Sequence, residues 1–210
     1  MIYLVGGPPR CGKTMLAKVM SRHWGIPWIS CDTLQVITGK YMTSKQWRKT
    51  HPYSLLRNKL KTNDAFYAQL SPQKIVSVLR RQAKPTFPAI DMASICEIAD
   101  GNSYIIEGYH IEPSFAYKLI KKYGRKNIKA IFLTKHNAER FAVDVHKSTT
   151  PNDWLIVGTR KPITFLKVGQ MVALYSRYFE KEAKKYKFKV LNMDQNFKKQ
   201  LSVAVKYLQS

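Results

Sequence analysis

The chain has 210 residues, the length of one large domain or of one domain with an insertion. With 45% hydrophobic and 23% charged residues, it has the composition of a folded domain and not of a disordered chain. No apolar run approaches the ~18 residues of a membrane-spanning helix. The apolar start before Gly6 is too short for a secretory signal, so we expect a cytoplasmic protein without membrane partners.

The charge is strongly basic, because 36 Lys and Arg residues outnumber 13 Asp and Glu residues and give a net charge of +23. Such an excess attracts phosphates and nucleic acids. The lysines are spread along the chain instead of clustering with arginines and aromatics in one stripe, as nucleic-acid binders usually have them. The charge therefore leaves nucleic acid open as a partner, and it equally fits a Lys-rich composition. The three cysteines contain no CxxC pair, which excludes a disulfide framework and a zinc signature.

The first predicted elements are a strand at residues 2–5, a helix at 13–24 and a second strand at 28–30. Gly25 ends the helix and Pro27 prevents its continuation. A helical insertion at 33–102 follows, which we expect to bind a phosphoryl acceptor. Within it we predict helical segments at residues 55–60, 75–82 and 91–98, with turns near Pro52, Pro72 and 85–88.

The second half of the chain continues the alternation of strands and helices. We predict strands at 104–108, 128–133 and 188–191, helices at 113–123, 137–146, 163–186 and 197–208, and a loop at 149–162. Five strands separated by helices predict an α/β fold of three layers, a parallel sheet covered on both faces. We expect residues 1–210 to form a single domain.

The turn after the first strand carries the most specific motif. Gly7-Pro8-Pro9-Arg10-Cys11-Gly12-Lys13-Thr14 fits the phosphate-binding loop (P-loop) pattern G-x-x-x-x-G-K-[ST], between a predicted strand and a predicted helix. Glycines allow the backbone N–H groups to converge on phosphate oxygens, and the helix N-terminus adds partial positive charge. Lys13 is expected to bind the β- and γ-phosphates and Thr14 to ligate Mg²⁺. The motif predicts that the chain binds ATP and Mg²⁺ in a P-loop NTPase fold.

Motors, GTPases, RNA-acting ATPases and small-molecule kinases all use this loop. The N-K-x-D motif of GTPases is absent, and no predicted strand ends in the Asp-Glu pair of helicases. The segments GGPPRCGKT at 6–14, IPWISCDTL at 26–34 and IIEGYHIEP at 105–113 resemble the P-loop small-molecule kinases. They are most similar to 2-phosphoglycerate kinase-like proteins and more distantly to the adenylate and shikimate kinases.

This resemblance implies an ATP- and Mg²⁺-dependent phosphotransferase that acts on a small, anionic, hydroxyl-bearing metabolite. The alternative is a nucleic-acid-associated P-loop protein, either a polynucleotide kinase or an RNA- or DNA-binding ATPase. A regulatory nucleotide-binding protein without turnover is a third interpretation.

Three candidate residues follow the second and third strands. The resemblance implies that Asp32 binds the acceptor and acts as a general base for its hydroxyl, although an Asp at this place can also be a helix N-cap. Glu107 is expected to hold Mg²⁺ through water or to bind the acceptor. His110 is expected to bind an acceptor phosphate, with an ordinary surface histidine as the alternative.

The remaining candidates are arginines. In related kinases an arginine near Arg140 contacts the nucleotide, but Arg140 can equally pair with Asp144 at i,i+4. Residues 148–162 fall where such kinases carry a lid, and Arg160 is the expected lid residue that acts on the transferring phosphate. Arg10 lies inside the P-loop, where it either touches phosphate or points outward.

Overall fold

The structure is a computed structural model that describes residues 1–148, 150 and 152–209. The strands within these residues are β1 (Ile2–Gly6), β2 (Trp28–Ser30), β3 (Tyr104–Gly108), β4 (Ile128–Thr134) and β5 (Lys189–Asn192). The five predicted strands are confirmed, with boundaries that differ by at most one residue. Each is short and rich in apolar side chains, as strands buried between helices are.

The described strands form one parallel sheet in the order β2-β3-β1-β4-β5. Gly6 at the end of β1 pairs with Gly108 at the end of β3, and Ser30 at the end of β2 pairs with Glu107. The carboxyl ends of β1, β2 and β3 therefore meet at one edge of the sheet. Ligands of open parallel α/β sheets bind outside this edge.

Helices cover both faces of the sheet, which confirms the predicted three-layer α/β fold. In chain order they are α1 (Lys13–Trp24), α2 (Cys31–Lys40), α3 (Ser44–Thr50), α4 (Pro52–Leu60), α5 (Asn63–Gln69), α6 (Pro72–Ala83), α7 (Phe87–Ala99), α8 (Pro113–Tyr123), α9 (Ala138–Asp144), α10 (Trp154–Val157), α11 (Pro162–Lys185) and α12 (Phe197–Gln209). Single 3₁₀ turns at Lys84–Thr86 and Val145–Lys147 extend α6 and α9.

The helical insertion between β2 and β3 is confirmed and consists of α2 to α7. The turns predicted near Pro52 and Pro72 coincide with breaks between helices, and each proline is the first residue of the helix that follows. Proline suits that position, since its fixed φ is helical and its missing N–H would have no partner there. Helices α2, α3 and α5 were not predicted. Each is ten residues or shorter.

The longest helix, α11, packs along the sheet and supplies much of the core. Its residues Val168, Met171, Val172, Tyr175 and Phe179 are almost fully buried. The predicted loop before it is correct except for the short helix α10. Two residues of the predicted lid, Thr149 and Pro151, lie outside the described residues.

Candidate active site

The P-loop has the backbone conformation that its glycines require. Gly7 has φ +135°, and a Cβ there would lie 2.2 Å from the carbonyl oxygen of Leu133. Gly12 has φ +92° and precedes the first turn of α1. L-residues rarely adopt these angles, so both positions need glycine. The loop is a glycine-dependent cradle at a helix N-terminus, which fits a phosphate group.

Lys13 lies over this cradle. Its side chain is buried, and its ammonium group donates a hydrogen bond to the carbonyl oxygen of Pro8 at 2.7 Å. The contact holds the positive charge above the loop. A phosphate seated in the loop would meet this ammonium group.

Thr14, in the first turn of α1, contacts Glu107 near the end of β3. The Thr14 hydroxyl donates to Glu107 Oε1 at 2.9 Å. Burial raises the pKa of Glu107, while the charge of Lys13 and the hydrogen bond from Thr14 oppose that rise. The fold brings the two residues together, because β1 pairs with β3 and the P-loop that follows β1 leads directly into α1.

The chemistry of this pair fits Mg²⁺. Among the described residues, no group of three or more His, Cys, Asp or Glu side chains could enclose a metal ion. Mg²⁺ in phosphoryl-transfer sites is held by only one or two carboxylates, with waters and substrate phosphates completing the shell. One hydroxyl and one carboxylate beside the phosphate cradle match that donor set.

Asp32 lies in the first turn of α2 and is not the N-cap. Ser30 is the N-cap, because its hydroxyl accepts a hydrogen bond from the Asp32 N–H at 3.1 Å. The N-cap alternative for Asp32 was therefore wrong. Its carboxylate is 73% exposed, yet the surrounding protein raises its pKa and Lys13 opposes the rise. Asp32 thus lies near Lys13 with a largely exposed side chain.

His110 is fully buried beside Asp32, so the interpretation as a surface histidine was wrong. Its Nε2 lies 2.6 Å from Gln35 Oε1, and its Nδ1 lies 3.9 Å from Asp32 Oδ1. Burial, with the nearby charge of Lys13, lowers the pKa of His110 to about 3. The imidazole is therefore neutral and brings no positive charge to a phosphate, and its contact with the acceptor stays a prediction.

Arg10 points out of the P-loop to the predicted lid. Its guanidinium forms an ion pair of 2.5 Å with Asp153, which also accepts hydrogen bonds from Ser148 and from the N–H of Leu155. Sequence reasoning did not single out Asp153. Its position just before the apolar run of α10 is an N-cap signal, but the ion pair crosses 143 residues of sequence.

The insertion also holds the lid segment. Asn63 Nδ2 donates to the carbonyl oxygen of Trp154 at 2.9 Å and to Thr159 Oγ1 at 3.0 Å. Asp64 accepts hydrogen bonds from the N–H groups of Arg160 and Lys161 and from the Thr164 hydroxyl. Neither Asn63 nor Asp64 was predicted. Hydrogen bonds therefore connect the insertion to the described C-terminal part of the predicted lid.

The predicted lid arginine and the predicted nucleotide-binding arginine differ in their surroundings. Arg160 is exposed, and its backbone N–H donates a hydrogen bond to Asp64 of the insertion. Arg140 is exposed on α9 and pairs with Asp144 at 3.3 Å, as the i,i+4 alternative predicted. No contact with the P-loop is seen for Arg140 among the described residues. Its nucleotide-binding role stays a prediction.

None of the described helices has both the length and the apolar character needed to cross a bilayer.

Comparison with known proteins agrees with this geometry. The family model described as "ATPase family associated with various cellular activities (AAA)" matches residues 3–90. A search of curated proteins finds no match. A sugar kinase from Janibacter sp. superposes with a TM-score of 0.54 at 13% identity, over 99% of this chain and 94% of that chain.

A gluconokinase from Sinorhizobium meliloti gives a TM-score of 0.51 at 15% identity, over 99% of this chain and 96% of that chain. At such identities the likeness concerns the fold. The likeness shows that the chain has an α/β, P-loop kinase-like fold.

Proposed function

We propose that the protein is an ATP- and Mg²⁺-dependent kinase that transfers the γ-phosphoryl group to a hydroxyl of a small metabolite. The observation that carries the proposal is the convergence at one sheet edge of Lys13, the Thr14–Glu107 pair and Asp32. Phosphoryl transfer needs groups that position and neutralise phosphates and one that orients the attacking hydroxyl. These residues supply each of them.

The nucleotide side of the site consists of residues 7–14. Its backbone N–H groups and Lys13 would bind the phosphates, and Thr14 with Glu107 would hold Mg²⁺, directly and through water. When bound, the metal neutralises charge that develops on the phosphates during transfer. The raised pKa of Glu107 is consistent with a carboxylate kept for a cation.

The acceptor side consists of Asp32 and the insertion. Asp32 would orient the acceptor hydroxyl and take its proton late in the reaction. Support for an anionic acceptor comes from the basic charge of the chain, and support for its hydroxyl comes from Asp32.

The lid would close the site. In the described part of the segment 148–162, Asp153 pairs with Arg10 of the P-loop, and Trp154 and Arg160 are hydrogen-bonded to Asn63 and Asp64 of the insertion. Arg160 would bring positive charge to the transferring phosphate.

A pool of metabolites incubated with γ-labelled ATP, Mg²⁺ and the purified protein tests the proposal. We expect label in a small molecule with the wild type and none with Lys13→Ala, provided that circular dichroism shows the variant to be folded. Transfer to the 5′ end of an oligonucleotide would instead support a polynucleotide kinase. ATP binding without transfer to any acceptor would support a regulatory protein.

A further inference from the structure

A hydrogen bond to only one of its two ring nitrogens fixes the orientation of His110. Its Nε2 lies 2.6 Å from Gln35 Oε1, and the Tyr109 hydroxyl donates to the same oxygen at 3.2 Å. A carbonyl oxygen only accepts hydrogen bonds, so Nε2 must carry the proton of the neutral imidazole. Nδ1 is then an unprotonated acceptor.

The second ring nitrogen, Nδ1, is buried and has no hydrogen-bond donor among the described residues. The nearest carboxylate oxygen, Asp32 Oδ1, lies 3.9 Å away, and it is also an acceptor while Asp32 is ionised. A buried acceptor without a donor costs free energy, and a proton between the two groups would remove that cost.

We infer that His110 is a positioning residue for Asp32, whose carboxyl group donates a hydrogen bond to Nδ1 once it has taken the acceptor's proton. The inference rests on the proposed function of Asp32 as general base. Asp32 Oδ1 lies 3.9 Å from Nδ1, about 1 Å beyond hydrogen-bond range, and rotation of the exposed Asp32 side chain would have to close this gap.

The proton balance of the step is simple. As the acceptor oxygen bonds to the γ-phosphorus, the bond from that phosphorus to its bridging oxygen breaks, and its electron pair leaves with ADP. The hydroxyl proton passes to Asp32 and stays on it. The protonated carboxyl group then donates a hydrogen bond to Nδ1 of His110. The proton returns to water when the phosphorylated product leaves.

Other titratable groups face the pair from each neighbouring element. Lys13 from α1 lowers the pKa of Asp32, while Glu107 at the end of β3 carries a further negative charge nearby. His51, between α3 and α4, faces His110 and is itself buried with its pKa lowered. Burial raises the pKa of Cys31 well above its ordinary value, so this thiol stays neutral.

Two substitutions test the roles of the two ring nitrogens independently. His110→Asn can place an amide oxygen near the position of Nδ1 and loses the contact with Gln35. His110→Gln can keep a donor toward Gln35 and loses the acceptor beside Asp32. A merely structural histidine is better replaced by Gln, whereas the inferred role is better preserved by Asn.

The test is an NMR measurement on the nucleotide-free full chain, which needs no acceptor. ¹⁵N shifts report the tautomer of His110, and ¹³C shifts of the carboxyl carbon report the titration of Asp32. We expect the Nε2–H tautomer, an Asp32 pKa that falls by about one unit in His110→Gln, and a pKa near the wild-type value in His110→Asn.

The Nδ1–H tautomer in the wild type would overturn the inference, and so would equal Asp32 titrations in the two variants. The tautomer measurement uses the wild type alone and remains decisive if a variant fails to fold. The proposed function fails separately, if the wild type transfers no label to any acceptor.

Discussion

The fold buries the Glu107 carboxylate, and this burial lowers the free energy of unfolding at neutral pH. Burial raises its pKa above that of an unfolded chain, although Lys13 and Thr14 offset part of the rise. The native state then binds a proton more tightly than the unfolded state does. At neutral pH the ionised group therefore lowers stability, and this loss is recovered as the pH falls toward the native pKa.

We predict that Glu107→Gln makes the protein more stable and less active. The amide keeps an oxygen for the Thr14 hydroxyl but has no charge to desolvate or to offer Mg²⁺. An increase in the free energy of unfolding on the order of 1 kcal/mol would raise Tm by about 3 °C in a chain of this size. Calorimetry and the Mg²⁺ dependence of turnover check both effects.

The exposed Glu139→Gln is the matched control and should change neither quantity. A lower Tm for Glu107→Gln at neutral pH would show that the ionised carboxylate stabilises the fold, contrary to this account.

Single residues were predictable where chemistry and chain position coincide. The motif placed Lys13 and Thr14 correctly, because adjacent residues fix both. Asp32 was placed at the right edge, but its N-cap alternative failed because Ser30 takes that position. Gln35 and Asp153 were missed, since their partners lie 75 and 143 residues away in the sequence.

At the scale of elements, Asp64 connects α5 of the insertion to the start of α11. Partial burial raises its pKa, but hydrogen bonds from Thr164, Arg160 and Lys161 lower it further than burial raises it. The N-cap residue of α11, Lys161, offers no side-chain hydrogen bond of its own. Asp64 therefore serves as a helix cap supplied by another segment.

We predict that Asp64→Ala destabilises the fold by about 1–2 kcal/mol, the cost of a lost cap and unpaired N–H groups. The depressed pKa means that this contribution is present above the unfolded pKa and is lost as the pH falls through the native value. Urea unfolding at neutral and acidic pH measures it. Asp100→Ala, at an exposed helix end, is the control. An equal effect of the two substitutions would contradict the capping role.

Arg160 lies on the lid just before the helix that Asp64 caps. We predict that Arg160→Ala lowers kcat by more than it weakens ATP binding, because a lid arginine acts on charge that develops in the transition state. Lys161→Ala, one residue further along the chain and also exposed, should have a smaller effect. If Arg160→Ala turns over like the wild type, Arg140 becomes the next candidate.

Elements were predictable where apolar periodicity was strong, as in α1, α8 and α11. The short helices of the insertion were harder, because their prolines indicate turns as readily as helix starts. The hydrogen bonds between the insertion and the predicted lid could not be predicted from the sequence. Asn63 and Asp64 contact residues more than 90 positions away.

At the scale of the whole molecule, the net charge of +23 does not by itself indicate a function. On α11, Lys184 pairs with Glu180 at 2.9 Å, and Lys185 pairs with Glu182. Part of the basic surface is therefore locally compensated. Lys181 lies exposed on the same helix.

We predict that replacing Lys181, Lys184 and Lys185 together by Gln leaves label transfer to a small acceptor near the wild-type rate. The three side chains lie near the end of α11 opposite the lid, so the substitutions remove charge without touching the site. A fall in kinase activity without unfolding, accompanied by weaker and less salt-dependent oligonucleotide binding, would favour the nucleic-acid interpretation.

The overall architecture was predictable because five buried strands and a P-loop leave few arrangements. The acceptor was not, since the insertion carries no recognisable motif and its polar residues find their partners only in the folded chain.

The account depends most directly on Asp32, and the decisive measurement is the rate of label transfer from γ-labelled ATP to the acceptor by wild type and by Asp32→Asn. Asn keeps the shape and removes the charge, so ATP affinity should stay within a few-fold. Transfer should fall by ~10² or more, the usual contribution of a general base. Wild-type transfer by the folded variant, or no transfer by the wild type, would contradict the account.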